Sequence, residues 1–222
     1  MIRKILVLAA VLTIVPAMAS ANSLAVNGTA AIVGSFGMEV NYDGAASLAY
    51  VQSDHMTDET GVRITFRIDA GGPTANPGQF DFAGFPANIR IMTLVEQGQG
   101  SRVVLFLKPG TSADTWRMAA FVRTDAGPFT FGGEGFLGGN GADSSVTVVL
   151  EWAAATGAGN NDGRIFASKT NANGVTTTMF ERNDIDNDTH NLDIMRFGSP
   201  STNEVGTPSG SVYLDEVVIE RL

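Results

Sequence analysis

The stretch Gly210-Ser-Val-Tyr-Leu-Asp-Glu-Val-Val-Ile-Glu-Arg-Leu222 decides the fold. It is rich in β-branched residues, contains no proline, and reads as a long strand. Side chains of a strand alternate between faces, so Tyr213, Asp215, Val217 and Ile219 share one face. Val212, Leu214, Glu216, Val218 and Glu220 share the other. The first face is apolar apart from Asp215. The strand is therefore expected in the middle of a two-layered sandwich with that face inward. The Asp215 carboxylate then needs a partner, because an ionised group buried alone is very costly.

Working back from this strand, the chain alternates short apolar runs with turn residues, and no helix-period segment follows the first residues. Gly61–Asp69 sets Val62, Ile64, Phe66 and Ile68 against Arg63, Thr65, Arg67 and Asp69, one face buried and one wet. Ser145–Ala153 repeats the pattern with Val146, Val148, Leu150 and Trp152, which makes Trp152 a core residue. Phe36–Tyr42, Ser47–Gln52, Ile89–Glu96, Arg102–Leu107, Thr115–Thr124, Arg164–Thr170, Val175–Arg182 and Leu192–Gly198 complete about a dozen strands. Asn161-Asp162-Gly163 and Asn173-Gly174 are short hairpin signals that tie three of them into an antiparallel meander. Ala70–Asn88 and Ala126–Asp143 read as long glycine-rich loops, and Asn183–Asn191 as an acidic one. The expected fold is all-β, a sandwich or barrel, in a single domain over 22–222.

Residues 1–21 read as a signal peptide, with Arg3 and Lys4 before an apolar run and Ala19-Ser20-Ala21 as the cleavage site. The chain is thus expected to be secreted or periplasmic, with no membrane span after cleavage. It has no cysteine, so no disulfide framework. The formal charge is -9, and loss of Arg3 and Lys4 makes it more negative still. That balance argues against nucleic acid, whose phosphates need a basic footprint.

Four stretches carry a resemblance. They are Gly37-Met-Glu-Val40 with Ala49-Tyr-Val-Gln52 and Asp58-Glu-Thr60; Val149-Leu-Glu-Trp152 through Asn161-Asp-Gly163; Ile185-Asp-Asn-Asp-Thr189 with Asp193-Ile-Met-Arg-Phe-Gly198; and Gly206-Thr207 through Asp215. In this order they resemble a bacterial group of extracellular laminin-G-like domains in the concanavalin A-like lectin/glucanase superfamily. The resemblance implies a jelly roll, which narrows the fold to a two-sheet antiparallel β-sandwich. It leaves function open, since lectins, hydrolases, lyases and adhesion modules share that architecture. Phe166-Ala-Ser-Lys169 departs from the group's pattern, which has a tryptophan-containing strand there. The resemblance also implies that a closing-strand aspartate, here Asp215, helps hold a structural calcium near the N-terminal strand. An ion pair with Arg63, Arg67 or Arg196, or hydrogen bonds to backbone, would satisfy it equally.

A retaining glycoside hydrolase needs two carboxylates about 5–5.5 Å apart, and none of the nine glutamates starts a Glu-x-Asp-x-Glu pattern. A lyase of this fold would need Gln-x-His and Tyr-x-Lys strands, and both histidines, His55 and His190, lie in loops. Asp184, Asp186 and Asp188 space acids as a calcium loop does, without the glycine and final acid of an EF-hand. A solvated turn explains them as well. Trp116, Phe129, Phe131 and Phe136, with Phe85 and Phe121, offer aromatic faces to a sugar, although the phase of Trp116 also suits the core. The resulting expectation is a non-catalytic exported module, calcium-stabilised, that binds glycan or another extracellular surface. A structural or adhesive protein with a protein partner is the alternative, and a hydrolase or lyase stands behind both.

Overall fold

The computed structural model describes residues 22–43, 47–54, 56–69, 88–110, 115–139, 145–201 and 209–222. The expected signal peptide, Phe85 and His55 lie outside them. The described residues form thirteen strands and no helix. In chain order they are β1 (Ser23–Asn27), β2 (Gly37–Asp43), β3 (Ala49–Ser53), β4 (Gly61–Asp69), β5 (Ile89–Glu96), β6 (Gly100–Pro109), β7 (Thr115–Arg123), β8 (Phe129–Gly139), β9 (Ser145–Ala153), β10 (Gly163–Thr170), β11 (Thr176–Ile185), β12 (Ile194–Ser199) and β13 (Ser209–Arg221). They build two antiparallel sheets, β1-β2-β13-β4-β9-β10-β11 and β3-β12-β5-β6-β7-β8. This is the all-β sandwich that the strand pattern allows and the jelly roll that the resemblance implies.

The core is made by the predicted phases. Val62, Ile64, Phe66 and Ile68 of β4 and Val146, Val148, Leu150 and Trp152 of β9 are all buried. They face Leu94, Leu105, Met118 and Phe197 of the second sheet, with Phe66 edge-on to Phe197 at 5.0 Å. Each such side chain removed from water contributes about 1.5–3 kcal/mol, which fixes the register, since a one-residue slip would expose the whole set.

β13 does lie inside its sheet, between β2 and β4, but its faces are reversed from expectation. Val212 and Leu214 are the pair that joins the core, while Tyr213 and Asp215 lie on the outer phase of Arg67, where Tyr213 is nonetheless buried. A bulge between Asp215 and Val218, with Glu216 at φ 48°, then swaps the phase and returns Ile219 to the core. The apolar phase therefore changes parity partway along the strand, and Asp215 belongs to the outer face. A second correction concerns 129–139. Predicted as loop, it is an edge strand whose glycines allow a close approach to β11: a Cβ on Gly135 would come within 2.5 Å of Met179 O, and one on Gly133 within 2.5 Å of Phe180 Cβ. β8 and β11, the last strands of their sheets, seal one side of the sandwich in this way, helped by Arg182, which donates to Thr130 and Phe131 O.

Candidate functional site

The outer face of the seven-stranded sheet divides into two regions. Toward one end runs a charged ladder. Arg63 pairs with Glu151 at 2.8 Å, Arg164 bridges Glu151 and Glu181 at 3.1 and 3.3 Å, and Glu220 lies 3.9 Å from Arg63. These signs alternate across five strands and satisfy one another. Toward the other end is a cavity of 480 Å³.

Strand register explains its floor. Tyr213, Asp69 and Ser145 form one row across β13, β4 and β9. Asp215, Arg67, Thr147 and Thr170 form the next, across β13, β4, β9 and β10. Thr29 to Ile32, ahead of β2, make one wall, and Asn171 to Gly174, between β10 and β11, make the other. Asp215 is the clasp of the first wall. Its Oδ2 accepts the backbone N–H of Ile32 at 3.1 Å and of Val33 at 2.9 Å, and its Oδ1 accepts the N–H of Glu216 at 2.8 Å. Among the protein's own groups, backbone amides are the partners that Asp215 meets. Asp215→Ala is expected to lower the unfolding free energy by about 1–2 kcal/mol, since it frees amides that a carboxylate now holds. Asp215→Asn, which keeps one acceptor, should cost less. Urea unfolding separates the two, and an Asp215→Ala curve matching the parent would show that the clasp carries no load.

The lining is rich in hydroxyls (Thr29, Ser145, Thr147, Thr170 and Tyr213), with one guanidinium and one carboxylate, Arg67 and Asp69. Arg67 is held by Glu216 through its Nε at 2.7 Å, which leaves it anchored in the floor. None of these lining residues is a site candidate in the sequence; only Asp215, which braces the wall beside them, is.

The aromatic set fares differently. Trp116 is 4% exposed and packs in the core, so it leaves the platform. Phe129, Phe131 and Phe136 are exposed on β8, the edge strand, at the margin of the second sheet's outer face. Phe121 packs edge-on to Phe131 and Phe106 at 5.5 Å. Arg123 covers one face of Phe129 at 4.9 Å, and Lys169 one face of Phe136 at 4.2 Å. One face of Phe129 and one of Phe136 are thus covered by a cation, while all three rings stay exposed to solvent.

The predicted acid set is also re-sorted. Asp184 ends β11 exposed and paired with Arg182 at 2.6 Å, away from the others. Asp186 and Asp188 instead meet Asp125, in the β7–β8 turn, with carboxylate oxygens of all three within 4.8 Å of one another. Burial opposes ionisation of Asp125, but hydrogen bonds from Thr189 and Asp188 outweigh it and hold its pKa below the ordinary value. Burial, then the hydrogen bond and charge of Asp125, push Asp188 up. Asp125 was invisible as a partner because it is remote in sequence from the acidic loop.

With the fold and cleft defined, the molecule is a jelly-roll sandwich with a polar cavity on one sheet. No family model and no curated protein sequence matches the chain. Among solved structures it is similar to an endo-β-1,4-glucuronan lyase from the fungus Trichoderma reesei, at 11% identity and a TM-score of 0.52, over 92% of this chain and 89% of that one. It is also similar to an alginate lyase from a Chlorella virus (11% identity, TM-score 0.42, 90% and 83% covered). A functionally unknown protein from Saccharomyces cerevisiae matches at 9% identity and a TM-score of 0.43, over 84% and 88%. The first of these corrects the expectation that the chain is not an enzyme. A polysaccharide lyase has this fold over most of the chain's length, so missing sequence motifs are no ground for excluding catalysis.

Proposed function

We propose that the protein is an exported glycan-binding sandwich whose ligand lies in the cleft over Arg67, Asp69, Thr147, Thr170 and Tyr213. The observation that carries this reading is the composition of the cavity. It combines many hydroxyls with one anchored cation and one acid, on a rigid sheet floor between two walls. Pyranose hydroxyls are recognised by such hydrogen-bonding groups, and a concave site buries enough of a ligand to bind it. The fold shared with a glucuronan lyase supports a polysaccharide as the ligand class.

The test is calorimetric titration with neutral β-glucan, glucuronan and alginate oligosaccharides against the parent protein and Arg67→Ala. Saturable binding that weakens at least tenfold in Arg67→Ala is expected. Absence of binding to every glycan, or binding indifferent to both Arg67→Ala and Asp69→Asn, would overturn the proposal.

A second reading, β-elimination on a uronate, is favoured by one observation: the Tyr213 phenol and the Arg67 guanidinium line the same cavity. In that reaction the base removes the proton α to the carboxylate and the bond to the leaving glycosidic oxygen breaks. An acid then protonates that oxygen. Arg67 would hold the carboxylate, and Tyr213 would exchange the protons, with no histidine among the lining residues. Unsaturated uronate released from glucuronan and lost in Tyr213→Phe would establish this reading. Intact polymer after prolonged incubation would remove it.

A further inference from the structure

Beside the acidic cluster at the opposite surface loop lies a buried imidazole that faces one of its three carboxylates, Asp125. His190 is 8% exposed. Its Nε2 lies 3.6 Å from Asp125 Oδ1 and has no hydrogen-bond partner. Its Nδ1 lies 3.6 Å from Oε2 of Glu96, a carboxylate fixed by Arg102 at 2.6 Å. A buried ring nitrogen with no partner is an unmet cost, and 3.6 Å is too long for a hydrogen bond to repay it.

That spacing suits a different interaction. Two ligands bound at about 2.0–2.2 Å to one tetrahedral ion sit roughly 3.4 Å apart, near what Nε2 and Oδ1 show. A metal-bound histidine usually has a carboxylate beside its other ring nitrogen, and Glu96 stands on that side of His190, beyond hydrogen-bond length at 3.6 Å. Rigidity comes from the chain around the cluster. Asn187, fully buried between Asp186 and Asp188, accepts the N–H of Ala155 at 2.9 Å. Asp125 N donates to Asp186 O at 2.9 Å, and the Thr189 hydroxyl and N–H donate to Asp125 Oδ1 at 2.6 and 3.4 Å.

We propose that Asp125, Asp186 and Asp188, whose carboxylate oxygens already lie within 4.8 Å of one another, form a divalent-metal site of the zinc or manganese kind that His190, next to Asp125, turns in to complete. The ion would clasp the β7–β8 turn to the loop between β11 and β12. An all-oxygen calcium site would leave the imidazole without a role, whereas mixed carboxylate and imidazole donors suit a first-row transition ion. The site is independent of the glycan cleft, so either proposal can fail alone.

The experiment uses untagged, metal-stripped protein with Zn(II), Mn(II) and Ca(II) added separately. Zn(II) or Mn(II) at about 100 times its Kd should raise Tm by roughly 5–10 °C, because it binds only the folded state. Asp186→Asn should weaken that ion at least tenfold, and Asp184→Asn should leave it unchanged. His190→Gln tests the nitrogen ligand. Should that variant misfold, Mn(II) broadening of the His190 ring protons in the parent protein replaces it, with His55→Gln assigning the two histidines. No Tm shift with either transition ion, stabilisation by calcium alone, or an unbroadened His190 ring in the presence of bound Mn(II) would overturn the assignment.

Discussion

Replacing Trp152 with alanine is expected to lower the unfolding free energy by about 3–5 kcal/mol, the cost of emptying a large aromatic site in a core. In a chain of this size that is a fall in Tm of roughly 6–20 °C. Trp152 is 1% exposed and stands in register between Val62 of β4 and Ile165 of β10. No small movement of either strand fills the space, because both are tied into ladders on each side. The chemistry of the ring sharpens the expectation. Trp152 Nε1 is buried and has no hydrogen-bond partner, so the indole gives up hydration without regaining a bond. Trp152→Phe removes that unmet donor along with part of the ring, and should cost less than half as much as Trp152→Ala. Chemical denaturation of the three proteins decides it. Equal losses for the two variants would mean that the indole nitrogen is satisfied in solution.

The second large effect is expected where β10 begins. A Cβ on Gly163 would fall on Asn187 Oδ1 and within 2.6 Å of Ile185 O. Gly163→Ala therefore overpacks a site walled by backbone, at a cost of about 1–3 kcal/mol or more. Asn187→Ala acts on the same contact from the other side. It leaves the buried N–H of Ala155 unpaired, worth about 1–3 kcal/mol. Because both changes break one arrangement, the double variant should lose less than the sum of the single ones. Strict additivity in urea unfolding would show that Asn187 does not brace the start of β10. Asn187→Ala should also loosen the acid loop, so metal affinity should fall with it although Asn187 is not a ligand.

Sequence periodicity carried the fold because the core phases of β4 and β9 run unbroken, and their predicted and observed bounds coincide. It failed where tertiary contacts override local pattern. The glycines of β8 look like loop residues until β11 is placed against them, and nothing local marks the bulge at Glu216 that changes the parity of β13. Asn161-Asp162-Gly163 signalled a two-residue turn, yet 154–162 form a longer loop in which Thr156 donates its N–H and hydroxyl to Asp162. Asn173-Gly174 does mark a hairpin, with Gly174 at φ 77°, but the ladder stops at Thr170 and Thr176, so this turn too is longer than two residues.

The cleft was the least legible part. Arg67, Asp69, Thr147 and Tyr213 are ordinary outward residues on their own strands, and only the register of β13, β4 and β9 makes them neighbours. The acid cluster was half legible: the spacing of Asp186 and Asp188 drew notice, but Asp125 and the buried ring of His190 join them through the packing of loops. Alternation along β13 alone sets Asp215 among inward apolar residues, whereas it is a carboxylate holding the wall of a polar groove.

The most direct measurement is a crystal structure of the protein soaked with an oligosaccharide shown to bind in solution. The proposed function predicts sugar rings lying over Arg67, Thr147 and Thr170, between residues 29–32 and 171–174, with ring hydroxyls on the threonines. Sugar bound instead against Phe129 and Phe131, with the cleft filled only by solvent, would contradict it.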